Sequence, residues 1–280
     1  MANVWFITGA TRGIGAAIAK EVLAAGDKVV ATGRDVGKMQ QAFNAGHDQL
    51  LTLSLDVTDN AQVENAVEVA RKQFGKIDVL VNNAGYGELG VFEAHTPQAA
   101  TRQFDTNVFG LFNVTRAVLP VMREQNKGRI FNISSVAGIK GGPGATLYAA
   151  SKFAVEGFSE ALAVEVEQFG IKVTLIEPGF FRTDFLDGSS MRPAEKKIPD
   201  YAKTVAALQQ RYETNNHRQI GDPEKLAQVL LALVKHPQPP MRLPVGTDAS
   251  KILSDKIESL KSEFETWKDW SSRTDGDPAR

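Results

Sequence analysis

The sequence contains no cysteine in 280 residues. Disulfide frameworks, thiol nucleophiles and cysteine-ligated metal centres are therefore excluded. Histidine is scarce, and His47, His95, His217 and His236 lack the spacing of a metal site, so no metal is expected. Neither charge sign is in excess. The formal net charge is −1, which removes the electrostatic basis for nucleic-acid binding. No apolar run approaches the ~20 residues that a spanning helix needs. The N-terminus lacks a basic segment ahead of its short apolar run, Val4–Ile7, and so does not read as a signal peptide. Low-complexity tracts and short-period repeats are missing as well. These absences lead to the expectation of a soluble, cytoplasmic protein with no membrane or nucleic-acid partner.

What is present is an alternation. Val4–Thr8, Lys28–Thr32, Leu50–Leu55, Val79–Asn82, Arg129–Ser134 and Val173–Glu177 read as strands, and Met241–Val245 as a last one. Helical patterns lie between them, as in Ile14–Ala25, Asn60–Phe74 and Thr146–Phe169, with a further long helix over 97–125. Such alternation predicts an α/β fold with a doubly wound parallel sheet of about seven strands flanked by helices on both faces. Ligands bind such sheets beyond the carboxyl ends of the strands. The chemistry-bearing residues should then follow strands.

They do. Gly9, Thr11, Arg12, Gly13, Ile14 and Gly15 form a glycine-rich turn between the first strand and a helix. A turn of this kind brings backbone N–H groups and a helix N-terminus to a diphosphate. Its spacing, G-x-x-x-G-x-G, is not that of the commonest dinucleotide fingerprint. The second strand ends in Gly33-Arg34-Asp35. Where an NAD site places a carboxylate for the ribose hydroxyl, this chain has Gly33, followed by Arg34. A guanidinium suits a 2′-phosphate, and Arg12 is placed to reach the same group, so NADP is favoured over NAD. Asp35 is a competing feature, able to pair with Arg34 or to serve as the acid in a shifted alignment. Asp56 and Val57 follow the third strand; Asp56 suits the adenine amino group or a helix N-cap. Asn83, Ala84 and Gly85 follow the fourth strand and suit a tight turn beneath a cofactor.

Tyr148 and Lys152 are four residues apart and share a helix face. A tyrosine hydroxyl titrates near pH ~10. A nearby ammonium is expected to lower that value and allow proton exchange at ordinary pH.

Taken together, Gly9-x-x-x-Gly13-x-Gly15, Asn82-Asn-Ala-Gly85, Asn107, Ser135, Tyr148-x-x-x-Lys152 and Pro178-Gly179…Thr183 resemble the short-chain dehydrogenase/reductase family. The resemblance covers residues 3 to about 185 strongly and the remainder in layout. It implies a Rossmann-like oxidoreductase that interconverts a ketone or aldehyde and its alcohol with NADP(H). Tyr148 would be the general acid or base, and Ser135 would hydrogen-bond the substrate oxygen, with Ser134 pointing away. Lys152 would hold the nicotinamide ribose and depress the tyrosine pKa. Asn107 would hold a water of a proton relay, and Pro178, Gly179 and Thr183 would approach the carboxamide. NADPH makes carbonyl reduction the expected direction.

The expected layout is one domain over 1–270, with a substrate-covering insertion at about 184–219 and a C-terminal helix at about 248–270. Residues 271–280 are expected to form a mobile tail. The helix after the insertion should start near Asp222-Pro223-Glu224. Tyr86, Leu89, Val136, Gly138, Gly142, Phe180 and Phe185 are candidates for the substrate wall and suggest a hydrophobic or aromatic carbonyl compound. The family's habit of pairing through the helices over 97–125 and 146–169 implies a homodimer or homotetramer. The rival reading is a non-catalytic NADP(H)-binding redox sensor.

Overall fold

The computed structural model describes residues 2–43, 48–187 and 190–276. Its strands are β1 (Val4–Ile7), β2 (Lys28–Gly33), β3 (Leu50–Ser54), β4 (Val79–Asn82), β5 (Gly87–Leu89), β6 (Gly128–Ile133), β7 (Ile171–Pro178), β8 (Met191–Pro193) and β9 (Arg242–Val245). The helices are α1 (Gly13–Ala24), α2 (Val36–Ala42), α3 (Asn60–Phe74), α4 (Pro97–Phe104), α5 (Gly110–Glu124), α6 (Thr146–Val166), α7 (Ala202–Asn215), α8 (Pro223–Lys235) and α9 (Thr247–Ser271).

Seven strands form one parallel sheet in the order β3-β2-β1-β4-β6-β7-β9. The centre is apolar on both faces, because β1 (VWFI) and the first three residues of β4 have helices above and below. On one face Val67, Val118, Met122 and Leu162 of α3, α5 and α6 close the core; on the other Ile18, Val22, Leu226 and Leu230 of α1 and α8 do so. The strand order reverses between β1 and β4, which is where a doubly wound sheet opens a crevice. The expected fold class is the observed one.

Four details differ from the sequence-level expectation. The long helix over 97–125 is interrupted by a π turn at Asp105–Phe109, which separates α4 from α5. The insertion carries α7, and a small parallel pair, β5 with β8, ties it to the body. Leu208 of α7 is buried, close to Gly144. Lastly, α9 runs through Ser271 and a 3₁₀ turn continues to Thr274, so the first residues expected to be a tail are helical. Asp222 caps α8 and Pro223 is its first residue, as the sequence indicated. Among the described residues, no helix is long and apolar enough to cross a membrane.

Candidate active site

At the carboxyl end of β1 the backbone turns at Gly9 with φ +66°. A side chain there would come within 2.9 Å of Ala84 Cα. At Gly15 a Cβ would meet Asn83 Nδ2 and the Gly9 carbonyl, both at 2.5 Å. Asn83 Nδ2 donates to the carbonyls of Thr8 (2.9 Å) and Gly9 (3.1 Å). Thr8 Oγ1 accepts from the N–H groups of Asn83 and Ala84, each at 3.0 Å. The turn after β4 is thus the floor on which the glycine turn rests. Arg12 occupies the N-cap of α1 with no side-chain cap bond, so no side-chain cap takes the leading N–H groups of that helix. A cradle with no room for side chains, beside a helix N-terminus, fits a dinucleotide diphosphate.

The residues after β2 sort themselves. Asp35 caps α2, accepting from Lys38 N at 3.1 Å, and sits 3.6 Å from Lys38 Nζ. It is therefore engaged away from Arg34, which is exposed on the cleft together with Lys38. Arg12 Nη2 donates to Ser190 Oγ at 2.7 Å, reaching across to the insertion. Asp56 is not a helix cap; Asp59 fills that role for α3. Asp56 Oδ1 instead accepts from Thr58 N (3.0 Å) and Thr58 Oγ1 (2.7 Å), and both Asp56 and Val57 face the cleft.

The cleft has a volume of about 1250 Å³. Its walls include Gly9, Thr11, Arg12, Gly13, Ile14, Asn83, Ala84, Gly85, Pro178, Gly179 and Thr183, together with Tyr86, Leu89, Val136, Gly142, Phe180 and Phe185. Ser135, Tyr148 and Lys152 lie on the same wall. Three candidates lie behind it. Gly15 is packed beneath Gly9, and Asn107 is buried. Gly138 is buried too; a side chain there would run into Ser134 and Glu156.

Ser135 opens a 3₁₀ turn, its Oγ accepting from Ala137 N at 3.1 Å. Ser134 is buried and donates to Glu156, so the two serines do point apart. Lys152 Nζ donates to the Ile133 carbonyl at 2.7 Å and lies 5.7 Å from the Tyr148 ring centre. Asn107 sits in the π turn. Its Nδ2 donates to the Tyr86 carbonyl (3.0 Å) and to Ser151 Oγ (3.2 Å), and its Oδ1 accepts from Tyr86 N (3.1 Å). The π form is a frequent companion of functional sites.

The electrostatics depart from the expectation of a lowered tyrosine pKa. Tyr148 keeps some surface toward the cleft, yet burial pushes its hydroxyl up to about 12, and hydrogen bonding with Ser135 only partly offsets this. Burial likewise brings Lys152 down to about 8, against the pull of Glu156. In this structure desolvation, opposed by the hydrogen bond with Ser135, sets the direction of the tyrosine shift.

Residues 3–193 match the family model of the short chain dehydrogenases. The chain belongs to the short-chain dehydrogenase family. Oxidoreductase BOA17 of Botryotinia fuckeliana is 40% identical over 272 residues, covering 97% of this chain and 98% of that protein. A 3-ketodihydrosphingosine reductase of Bacteroides thetaiotaomicron is 40% identical over 244 residues, covering 87% and 88%. A short-chain dehydrogenase from Streptomyces avermitilis superimposes with a TM-score of 0.91 at 38% identity, covering 99% of this chain and all of that one. The protein is thus an oxidoreductase of a fold that binds a nicotinamide cofactor.

This short-chain dehydrogenase also holds features that the sequence reading did not pick out. Lys38, Arg192, Arg211 and Tyr212 line the cleft. Only Lys38, three residues after the capping Asp35, had a local signal. Arg192 stacks over Tyr86 at 5.3 Å and Arg211 over Phe180 at 5.9 Å, contacts made through the insertion and invisible to spacing. Glu156 and Glu177 are buried and share Arg242, which lies 2.9 Å from Glu177 and 2.7 Å from Glu160. His217, read as isolated, has donor atoms within 4.8 Å of those of Asp184 and Asp187. His47 lies outside the described residues.

Proposed function

We propose that this enzyme reduces a ketone or aldehyde to its alcohol with NADPH, with Tyr148 as the general acid. The observation that carries the reading is convergence. Ser135, Tyr148 and Lys152, drawn from two elements, meet on one wall of the cleft whose floor is the glycine turn. The bound cofactor supplies the hydride. Gly9, Thr11, Gly13 and Ile14 would cradle its diphosphate, Asp56 and Val57 its adenine, and Pro178, Gly179 and Thr183 its carboxamide. Arg34, with Arg12 and Lys38 nearby, suits a 2′-phosphate, since the only carboxylate in that stretch, Asp35, caps a helix.

The proton side follows from burial. A phenol held up at about 12 keeps its proton throughout the neutral range. It donates readily as negative charge develops on the substrate oxygen and is a poor base for the reverse reaction. Ser135 donates to the same oxygen. Lys152, as an ammonium below about pH 8, eases the charge left on Tyr148 and holds the ribose. Asn107 braces Tyr86 and the π turn, where a relay water would reach Lys152.

The substrate reading is a hydrophobic or aromatic carbonyl compound. Phe185 packs on Tyr148 at 5.3 Å between ring centres, and Tyr86, Val136, Gly142 and Phe180 share the cleft. One related protein is named as a 3-ketodihydrosphingosine reductase. Exposed Phe109, Phe153 and Val164 on the π turn and α6 suit a homodimer face. The test is a fluorescence titration with NADPH and NADH, followed by a panel of ketones and aldehydes. The reading expects tighter NADPH binding and oxidation of NADPH on adding an apolar carbonyl. Tight binding without turnover across the panel leaves two readings, a substrate outside the panel or the sensor.

A further inference from the structure

The last helix presents a surface that the catalytic reading does not use. Its first turn belongs to the body: Asp248 accepts from Phe180 N at 2.7 Å, Ala249 is fully buried and Ile252 lines the cleft. From Ile257 to Gly276 every residue is exposed, so this half of α9 stands clear of the protomer on all sides. Alone, a helix of this length is marginal in water.

Its apolar residues are nevertheless in strict order. Leu253, Ile257, Leu260, Phe264 and Trp267 follow a four-three-four-three spacing, the seam of a two-helix coiled coil. Ile257, Leu260, Phe264 and Trp267 are 53%, 50%, 63% and 54% exposed. We propose that α9 pairs antiparallel over Leu253–Phe264 with α9 of a second copy of this chain, about a two-fold axis near Glu258 and Ser259.

Charge selects this occupant. The helix carries four lysines and six carboxylates, a net charge of −2, which disfavours an anionic lipid surface. Charge also selects the direction. Lys251 and Lys268 are paired within the helix, with Asp255 at 3.0 Å and Glu265 at 2.7 Å. Lys256 and Glu263 flank the seam and join no ion pair among the described residues. In the antiparallel register Ile257 faces Leu260 and Leu253 faces Phe264 of the second copy. Lys256 then lies beside Glu263 of that copy, and the symmetry makes the bridge twice. A parallel register sets Lys256 beside Lys261 instead, again twice, which is repulsive.

The chain has no cysteine, so single labels are clean. Asp269→Cys carrying a spin label should show a separation of about 30 Å in the antiparallel pair, from the 1.5 Å rise per residue. A parallel pair would hold the labels within about one helix diameter, ~10 Å, and would overturn the direction. Leu260→Glu with Phe264→Glu, both at exposed positions, should halve the mass in solution with the circular dichroism of the body retained. Lys256→Glu should weaken the association, and adding Glu263→Lys should restore it. An unchanged mass in the Leu260→Glu/Phe264→Glu variant, or wild-type protein sedimenting with phosphatidylserine vesicles through this stripe, would refute the pairing. None of these readouts depends on the reaction or its substrate.

Discussion

Replacing Arg34 tests the cofactor assignment at a single exposed side chain. Among the described residues Arg34 is exposed and joins no ion pair, and Asp35 is engaged with Lys38. A charge-assisted hydrogen bond to a phosphate contributes roughly 1.5–3 kcal/mol, which corresponds to about 10- to 150-fold in affinity. Exposure and salt screening place the expected loss toward the lower end. Arg34→Ala should therefore weaken NADPH about 10-fold and leave NADH within about twofold. The complementary change is Gly33→Asp, which adds the acid that a ribose hydroxyl would use. A Cβ at Gly33 would lie 2.9 Å from Thr11 Oγ1. Gly33→Asp alone should thus impair both cofactors, whereas Gly33→Asp with Thr11→Ala should favour NADH. Fluorescence titration of each variant at two salt concentrations is the assay. Equal losses for the two cofactors in Arg34→Ala would remove the 2′-phosphate argument.

Other expectations follow from the buried charges beside the site. Wild-type reduction should decline as pH rises through about 8, where the Lys152 ammonium is lost; Lys152→Met should weaken cofactor binding and abolish that limb, as a pH–rate profile would show. Burial raises Glu156 from 4.5 to about 7, so its folded carboxyl holds a proton more tightly than the unfolded chain does. Its contribution to stability is then fully present below about pH 4.5 and lost as pH rises through 7. Glu156→Gln should flatten that part of the urea-denaturation profile. It should also move the alkaline limb to lower pH, because Glu156 holds Lys152 up. Phe185→Ala should raise KM about 10-fold for a bulky apolar ketone, from the ~1.5 kcal/mol of burial lost, and steady-state kinetics would show it.

The sheet was legible because its strands are short apolar runs separated by strongly periodic helices, and the parallel order follows from that alternation. The turn residues were legible for a different reason. Gly9 and Gly15 occupy places where a Cβ collides with Asn83 or Ala84, so the sequence has little choice there. Long-range pairings were not legible. Nothing local marks Gly87–Leu89 as a strand, since its partner, Met191–Pro193, lies about a hundred residues on. The π turn is likewise hidden inside an unbroken helical pattern. The raised Tyr148 pKa is hidden in the sequence, which shows a neighbouring lysine but not the burial that causes the shift. His217 meets Asp184 and Asp187 only through the folding of the insertion.

The most direct measurement is turnover by Tyr148→Phe, using NADPH and a carbonyl substrate that the wild type reduces. The variant keeps the ring that packs on Phe185 and loses only the hydroxyl. The account predicts a fall in kcat of at least about 100-fold, the scale of general-acid catalysis, with NADPH affinity unchanged. Retention of wild-type kcat would contradict the assignment of Tyr148 as the proton donor, and with it the proposed mechanism.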